Sequence, residues 1–356
     1  MTLTEIRRHF NNFEALFISN PINIYYLTGF RGSKAKILIT KKNAYFFTDF
    51  RYIEHAKKSV PEGFKVIQIN KKWKEDWPKI LKKYQIKTLG IEEYHLNVAE
   101  FAELKKLSKG TNLKKSNLII EKIRQIKSIE ELKLIKKSQK INDKILEDLK
   151  EFIKRGITEK EIEWFIVKSI HEYGADEPSF KPVVAFGNHS SVPHHQNTDR
   201  KLKTGDIVLI DMGVKYKHYC SDMTRTFFTN KPTHKQKEVY KTVLKAQENA
   251  IESLKNNINS KKIINTAFNI IKNAGYEENF QHALGHGVGL EIHELPSMAS
   301  DKSFTFLKNM VTTIEPGIYL EKNFGVRIED MLIIERTGYK NITTAKKKLE
   351  DMILKI

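Results

Sequence analysis

Cysteine is almost absent from this sequence: Cys220 is the one thiol among 356 residues, so no disulfide can form within the chain. No run of residues approaches the roughly 18 apolar side chains that a membrane-spanning helix needs. Arg7 and Arg8 lie near the N-terminus, but polar residues interrupt the stretch after them, which argues against a signal peptide. With a mean hydropathy of −0.48, the sequence predicts a cytoplasmic globular protein.

The features of a nucleic-acid-binding protein are also missing, although the formal net charge is +19. The positive excess is mostly lysine, spread as Lys-Lys pairs over predicted helix faces. No arginine-rich stripe occurs, and aromatic residues do not alternate with basic ones as they do in single-strand-binding proteins. A solvated, lysine-rich surface explains this charge better than a dedicated site, so we expect no specific nucleic-acid partner.

The order of apolar patterns predicts two domains of fold class α/β (α+β). Residues 1–125 alternate short apolar strands with amphipathic helices, which is typical of a sheet flanked by helices. In residues 126–356 the same order of elements, two helices followed by strands, occurs twice. This internal repeat predicts a pseudo-twofold domain. Three helices begin at capping signals, namely Ser128–Glu131, Thr158–Glu161 and Thr233–Gln236. The last strands are expected near 282–289, 311–315 and 326–334.

Four carboxylates and one imidazole in the second domain form the candidate site. Asp211 and Asp222 lie in two strands that we expect to form a hairpin. Glu315 and Glu329 lie in a second predicted hairpin, and His286 lies in a glycine-rich segment that permits close approach of the backbone. A single acid near a strand end is commonly a turn or surface residue. The five together are better explained by a shared site.

Buried carboxylates of this kind need a counter-charge. Unpaired buried charges are costly, and like charges raise each other's pKa. Two divalent cations would balance four carboxylates, and an oxygen-rich set with one imidazole suits Mn²⁺, Co²⁺, Zn²⁺ or Fe²⁺. Two ions roughly 3.5–4 Å apart can hold a bridging water and lower its pKa to about 7. The sequence thus predicts a two-metal centre for hydrolysis.

Five segments around these residues resemble the ligand motifs of the pita-bread metallopeptidases, a family that includes aminopeptidase P, prolidase and methionine aminopeptidase. The segments occur in the family's order and are 210–213, 221–225, 285–294, 313–317 and 326–330. The resemblance implies a pita-bread catalytic domain in which Asp222 and Glu329 bridge both ions. It further implies that Asp211 completes the shell of one ion, and that His286 and Glu315 complete the other.

The segment 23–30 resembles the N-terminal domain of creatinase, prolidase and aminopeptidase P. In those relatives this domain serves dimerisation and narrows access to the active site, which implies the same role here and a homodimer. Methionine aminopeptidase lacks the domain, so its presence argues against that branch. The expected domains are therefore residues 1–125, the creatinase/prolidase-like domain, and residues 126–356, the pita-bread catalytic domain.

The resemblance also implies catalytic and substrate-binding roles. His194, directly after Pro193, is expected to polarise the scissile carbonyl or to stabilise the charge that develops on it. His293 is expected to bind substrate and transfer protons. We expect Glu315 to carry a proton to the leaving proline nitrogen. His282 either lines the substrate pocket or is an ordinary structural histidine.

Other polar side chains lie close to these motifs. Arg327 lies two residues before Glu329 and thus on the same strand face, where it either orients that carboxylate or meets a substrate carboxylate. Cys220 is better explained as a small packed residue than as a metal ligand. His189 and His195 are expected to be loop residues with no chemical role.

The implied activity is removal of an N-terminal residue next to proline by a dinuclear metallo-exopeptidase, an Xaa-Pro aminopeptidase with manganese as the expected metal. Xaa-Pro dipeptidase (prolidase) activity is the alternative, although the sequence offers no clear extra cation for the free carboxylate of a dipeptide. Two other classes are a non-catalytic binding module on the same fold and a creatinase-like C–N hydrolase. Retention of all five ligands argues against both.

Overall fold

The computed structural model describes residues 3–70, 73–354 and 356. The chain divides into two compact units, Met1–Ile123 and Arg124–Ile356, beside a predicted boundary after residue 125. Both units combine helices and strands, as predicted. In the part of the chain that the structure describes, no helix is both long and apolar enough to span a membrane.

The first unit is built on a six-stranded mixed sheet. Its elements are α1 (Leu3–Arg7), β1 (Ala15–Ile18), α2 (Pro21–Thr28), β2 (Ala35–Thr40), β3 (Ala44–Thr48), α3 (Ile53–Ser59), β4 (Phe64–Gln68), α4 (Trp73–Lys83), β5 (Thr88–Ile91), α5 (Val98–Leu107) and β6 (Asn112–Lys115), with α6 (Ile119–Arg124) at the junction. The strand order is β4-β3-β2-β1-β5-β6, antiparallel around β2 and parallel at both edges.

Both faces of this sheet are covered by apolar side chains. Successive residues of a strand point to opposite faces. Leu16 and Ile18 of β1 therefore pack in one core. Ala15 and Phe17 pack in another, which includes Trp77 of α4. Burial on both faces explains why β1 is apolar at every position.

The second unit contains four long helices in two pairs. They are α7 (Ile129–Phe152), α8 (Glu159–Glu172), α9 (His234–Glu252) and α10 (Ser260–Asn273). The capping boxes predicted at Ser128, Thr158 and Thr233 are all present, with both reciprocal hydrogen bonds formed. Because the first orphan N–H groups are satisfied locally, these helix starts were readable from sequence.

Strands follow each helix pair. After α8 come β7 (Glu177–Pro178), β8 (Val183–Phe186), β9 (Ile207–Met212), β10 (Val214–Tyr216), β11 (Tyr219–Cys220) and β12 (Met223–Phe228). After α10 come β13 (His286–Gly287), β14 (Glu294–Ser297), β15 (Val311–Ile314), β16 (Gly317–Leu320), β17 (Phe324–Arg327), β18 (Asp330–Glu335) and β19 (Gly338–Asn341). The sheets are β8-β9-β12, β7-β10-β11, β14-β13-β15-β18-β19 and β16-β17. One hydrophobic core joins residues of both halves.

Two strands of the second half are shorter than predicted. The strand expected at 282–289 is limited to β13, and the strand expected at 326–334 is interrupted at residues 328 and 329. Glu329 leaves its own ladder because its N–H donates to the carbonyl oxygen of Thr224, on β12, at 3.2 Å. A matching break follows β15, where Pro316 has no N–H to donate. The carboxylates of Glu315 and Glu329 therefore lie at bends between strands.

Candidate metal centre

The antiparallel pair β9 and β12 holds the two aspartates. Thr224 of β12 lies opposite Asp211 of β9, and Asp222 directly precedes β12. The residues before Asp211 are Ile-Val-Leu-Ile, an apolar and largely β-branched run that favours a buried strand and leaves the aspartate near its end. Both carboxylates are largely buried, with 16% of the Asp211 side chain exposed and 5% of that of Asp222.

Glycines around His286 let three strands approach one another. A Cβ on Gly285 would lie 2.1 Å from the carbonyl oxygen of Thr313, and a Cβ on Gly287 would lie 2.2 Å from that of Leu295. No larger residue fits at either position. β13 can therefore pair with both β14 and β15, which brings His286 beside the strand that leads to the glutamate at 315.

His286 faces two of the carboxylates. Its Nε2 lies 3.2 Å from Glu315 Oε1 and 3.5 Å from Asp222 Oδ2. Its Nδ1 lies 3.2 Å from the carbonyl oxygen of Gly287, which accepts the ring N–H and leaves Nε2 directed at the acids. Ligand atoms of Asp222, His286 and Glu329 all lie within 4.8 Å of one another. Side chains from three separate segments thus converge on one point.

Arg327 holds Asp211 and connects it to Glu329. Its Nη2 donates to Asp211 Oδ2 at 2.6 Å, and its Nε donates to the hydroxyl of Thr224 at 3.0 Å. That hydroxyl in turn donates to Glu329 Oε2 at 2.7 Å. Arg327 Nη1 donates to the hydroxyl of Tyr319 at 2.6 Å. Because the guanidinium is buried and engaged through all three nitrogens, an orienting role fits it better than contact with a substrate carboxylate.

Two carboxylates each keep one buried oxygen that no hydrogen bond satisfies. Within the described residues, Asp211 Oδ1 and Glu329 Oε1 have no donor, whereas the other oxygen of each is bound as above. A buried acceptor without a partner is costly. Carboxylate oxygens beside an imidazole are ligands that divalent cations accept. The donor set therefore fits divalent cations.

The acids of this cluster are difficult to ionise together. Burial, and then the charges of neighbouring carboxylates, raise the pKa of Asp222 and of Glu329 well above the usual range. Burial also raises the pKa of Asp211. It acts in the same direction on Glu315, but the hydrogen bond and the charge of His286 outweigh it and hold the pKa of Glu315 at about 2. Two divalent cations would supply the positive charge that such a set needs.

Three predicted histidines lie around the cluster at different depths. The ring of His293 lies 4.3 Å from that of His286, centroid to centroid, at an interplanar angle of 77°. His282 is nearly buried; its Nδ1 donates to the carbonyl oxygen of Ala283 at 2.8 Å, and its Nε2 has no partner among the described residues. His194 is exposed, in the segment after β8. Burial lowers the pKa of His293, and the charges of His286 and His194 lower it further, so these rings lie within electrostatic reach of one another.

A buried ion-pair cluster beside His293 was not predicted from sequence. Glu294 accepts hydrogen bonds from Arg124 at 2.6 Å and from Lys127 at 2.7 Å, and all three side chains are at most 4% exposed. Arg124 also pairs with Glu291 at 2.8 Å. These pairs fix the segment that carries His293. These ion pairs join residues that are 167 or 170 positions apart, so no local sequence pattern predicts them.

Cys220 is a packed residue in this structure. Its Sγ lies 3.9 Å from the carbonyl oxygen of Leu290, and burial raises the pKa of the thiol to about 11. Because the thiolate is the form that binds metal, a protonated thiol does not favour a ligand role.

Comparisons with known proteins identify the family. Residues 133–336 match the sequence model of Metallopeptidase family M24, and residues 9–126 match that of the Creatinase/Prolidase N-terminal domain. The chain belongs to metallopeptidase family M24. An Xaa-Pro dipeptidase from Pyrococcus horikoshii is 38% identical over 343 residues, which is 95% of this chain and 95% of that protein.

Solved structures of M24 enzymes share the whole fold. An Xaa-Pro dipeptidase from Bacillus anthracis has a TM-score of 0.94 at 34% identity, covering 98% of both chains. An X-Pro aminopeptidase from Thermotoga maritima has a TM-score of 0.87 at 31% identity, covering 96% of this chain and 98% of that one. The predicted family, the creatinase-like domain followed by a pita-bread domain, and the prediction of a metallo-exopeptidase are thereby confirmed.

Proposed function

We propose that this M24 enzyme hydrolyses the bond before proline in Xaa-Pro dipeptides. The observation that carries the proposal is the buried cluster of potential ligands with two unsatisfied oxygens, formed by Asp211, Asp222, His286, Glu315 and Glu329. The substrate class comes from relatives: one named Xaa-Pro dipeptidase is 38% identical, and one named X-Pro aminopeptidase is 31% identical. These identities favour the dipeptidase over the aminopeptidase that the sequence analysis placed first.

The proposed centre holds two divalent cations. Asp222 and Glu329 would be the ligands shared by both cations, and Asp211 would help to hold one of them. His286 and Glu315, whose ligand atoms lie 3.2 Å apart, would help to hold the other. Four carboxylates with one imidazole suit Mn²⁺, with Co²⁺, Zn²⁺ and Fe²⁺ as alternatives. When bound, the cations acidify the attacking water and polarise the scissile carbonyl.

Two histidines support the carbonyl of the substrate. The ring of His293 lies beside the ligand His286, so an N–H of His293 can donate to the carbonyl oxygen as negative charge develops there. His194 supplies a second donor, and its proximity contributes to lowering the pKa of both His282 and His293. His282 is the third histidine of this site, and its Nε2 is buried without a partner among the described residues.

Glu315 moves the proton. Its Oε1 is oriented by the hydroxyl of Thr313 at 3.1 Å and by His286 at 3.2 Å. The proline nitrogen must be protonated before it can leave, and the attacking water must lose a proton. Because Glu315 is a proposed ligand of one cation only, it is the candidate for both transfers.

Replacing Glu315 with glutamine tests this role. Glu315→Gln keeps the size of the side chain but removes the proton carrier, so we expect kcat for Ala-Pro to fall about 10²–10⁴-fold. Bound metal is measured in the same preparation by mass spectrometry. The control Glu321→Gln changes a glutamate whose side chain is 88% exposed and should leave kcat unchanged. Full turnover in Glu315→Gln with both metals bound would contradict the role.

The substrate class is tested with three peptides. Metal-stripped enzyme is supplied with Mn²⁺, Co²⁺ or Zn²⁺ and assayed on Ala-Pro, Ala-Pro-Ala and Ala-Ala-Ala. The proposal predicts metal-dependent cleavage of Ala-Pro, slower cleavage of Ala-Pro-Ala and none of Ala-Ala-Ala. Faster cleavage of Ala-Pro-Ala would restore the aminopeptidase assignment. No cleavage with any metal would favour a non-catalytic binding module.

We also propose that the enzyme is a cytoplasmic homodimer and that the first unit serves dimerisation and access to the centre. The match of residues 9–126 to the Creatinase/Prolidase N-terminal domain supports the proposed role of the first unit. Light scattering during size-exclusion chromatography should give about twice the chain mass of 41.5 kDa. The mass of a single chain would contradict the proposal.

A further inference from the structure

Glu159 lies in the first turn of α8, outside the candidate metal centre, and its side chain is completely buried. A buried carboxylate must be paired or hydrogen-bonded to offset its desolvation. Its Oε1 accepts hydrogen bonds from the N–H of Phe186 at 2.9 Å and from Nδ1 of His189 at 2.8 Å. Its Oε2 accepts from Nε2 of His195 at 2.9 Å, and from the N–H and hydroxyl of Thr198 at 2.9 and 2.7 Å.

All five donors belong to one segment, residues 186–198. Phe186 is its first residue and Thr198 its last, so one carboxylate fixes the segment at both ends and twice between them. The segment contains His194, which is exposed and therefore is not positioned by packing of its own ring. Its neighbour His195, whose side chain is 10% exposed, is held directly by Glu159.

A metal ion is the alternative occupant of this cluster. Ligand atoms of Glu159, His189 and His195 lie within 4.8 Å of one another, which also suits a cation. However, the two imidazoles donate to different oxygens, and Phe186 and Thr198 engage the same two oxygens. Burial acts to raise the pKa of Glu159, but these hydrogen bonds outweigh it and lower the pKa. The cluster is therefore satisfied as an ionised, hydrogen-bonded anchor without a cation.

We propose that Glu159 is a positioning residue for His194. By holding both ends of segment 186–198 and the imidazole next to His194, it presents that histidine to the carbonyl of the substrate. The inference rests on the proposed function of His194. It also gives His189 and His195, expected from the sequence to be loop residues without chemistry, a function as the side-chain donors through which the segment is held.

The first test is Glu159→Gln. Glutamine keeps the size of the side chain but replaces one acceptor oxygen by an NH₂ group, which faces donors and repels them. Misplacement of a catalytic group by about 1 Å can cost about 100-fold in rate, so we expect kcat for Ala-Pro to fall about 10- to 100-fold. KM and bound metal should be nearly unchanged. The matched control is Glu161→Gln, two residues along the same helix, where glutamine preserves the capping box with Thr158.

A double variant separates positioning from general destabilisation. If Glu159 acts through His194, then Glu159→Gln causes no further loss of kcat in a His194→Ala background. An equal loss in both backgrounds would overturn the inference. Hydrogen exchange gives a readout without substrate: the amides of Phe186 and Thr198 should exchange faster in Glu159→Gln, with little change elsewhere. Unchanged exchange in segment 186–198 would also overturn it.

Two further measurements keep the test decisive. If Glu159→Gln does not fold, His195→Phe takes its place. Phenylalanine keeps an aromatic ring at this position, where the ring centroid of His195 lies 4.4 Å from that of His189, but it removes one donor to Glu159. The same non-additivity with His194→Ala is expected. Turnover of Ala-Pro by the unmodified enzyme distinguishes the two proposals: its absence contradicts the proposed function, whereas turnover that Glu159→Gln does not reduce contradicts the positioning role alone.

Discussion

Side chains outside the set of candidate ligands fix the geometry of those ligands. Arg327 touches Asp211 directly and reaches Glu329 through the hydroxyl of Thr224, so one guanidinium fixes two carboxylates from different segments. The hydroxyl of Tyr319 holds the same guanidinium from the other side. Planar, multi-donor binding of this kind is a property of arginine, because a lysine ammonium is a single point charge on a flexible stem.

Arg327→Lys should therefore weaken metal binding while keeping the positive charge. The ammonium cannot reach Asp211, Thr224 and Tyr319 at once, so the carboxylates lose their orientation. We expect the affinity for Mn²⁺ to fall about 10- to 100-fold, the usual effect of removing a residue that orients ligands. Titration against a competing chelator measures this. Tyr319→Phe, which removes one hydrogen bond, should have a smaller effect. An unchanged affinity in Arg327→Lys would contradict the orienting role.

The candidate ligands could be selected from sequence because each lies in a short segment with its own pattern, but the side chains that support them could not. Thr224 lies within segment 221–225, but a threonine in a strand does not indicate its hydrogen-bond partner. Its role depends on the register that places it opposite Asp211. Glu159 lies within the capping signal Thr158–Glu161, yet its hydrogen-bond partners are 27 to 39 positions away in sequence. Such contacts follow from tertiary structure alone.

At the scale of elements, one buried glutamate joins parts of the first unit. Glu92 follows β5, and its Oε2 accepts the N–H groups of Ser19 and Asn20 at 2.6 and 2.7 Å, at the turn from β1 into α2. Its Oε1 accepts Nδ2 of Asn23 at 2.7 Å. Burial raises the pKa of Glu92 to about 7, although these hydrogen bonds oppose the shift.

This pKa predicts a pH dependence of stability in the first unit. The pKa of Glu92 is raised above its ordinary value of 4.5, so the folded state keeps a proton that the unfolded state releases. The free energy of unfolding should fall as pH rises from about 4.5 to about 7, by about 3 kcal/mol from this group, and then level off. Urea unfolding followed by tryptophan fluorescence, to which Trp73 and Trp77 of α4 contribute, measures it.

Two variants identify the source of that slope. Glu92→Gln should remove the decrease between pH 5 and pH 7. Glu14→Gln is the matched control in the same unit, because hydrogen bonds from residues 87 and 88 lower the pKa of Glu14 against the effect of its burial. Its contribution is therefore present above pH 4.5 and is lost as pH falls, so the decrease between pH 5 and 7 should persist. A decrease that survives in Glu92→Gln would contradict the assignment.

Helices and strands differed in how well the sequence predicted them. The starts of α7, α8 and α9 were correct because a capping box satisfies backbone groups within four residues. The first break, after β15, agrees with the end of the strand expected at 311–315, whereas the second break, at Glu329, was not predicted. The second break depends on a hydrogen bond between the N–H of Glu329 and β12, about a hundred residues away in sequence. The ends of a strand depend on which neighbouring strand it pairs with. The candidate centre lies where the strands change their pairing partners.

At the scale of the whole molecule, the net charge of +19 does not describe the centre. The candidate ligands bring four carboxylates together, and the neighbouring cation Arg327 is already paired with Asp211. Lysines on the surface are solvated, and salt screens exposed charges that lie more than about 8 Å apart at physiological ionic strength. A protein with a positive net charge can therefore still bind cations tightly where its carboxylates are clustered.

The most direct test of the two-metal centre is calorimetric titration of metal-stripped enzyme with Mn²⁺, with Ala-Pro hydrolysis followed in parallel. We predict two ions per chain, with activity that appears as they bind. Asp222→Asn should bind fewer ions because it removes a proposed bridging ligand, and the exposed control Asp199→Asn should still bind two. Hydrolysis undiminished in excess chelator, or two ions bound by Asp222→Asn with unchanged affinity, would contradict the account.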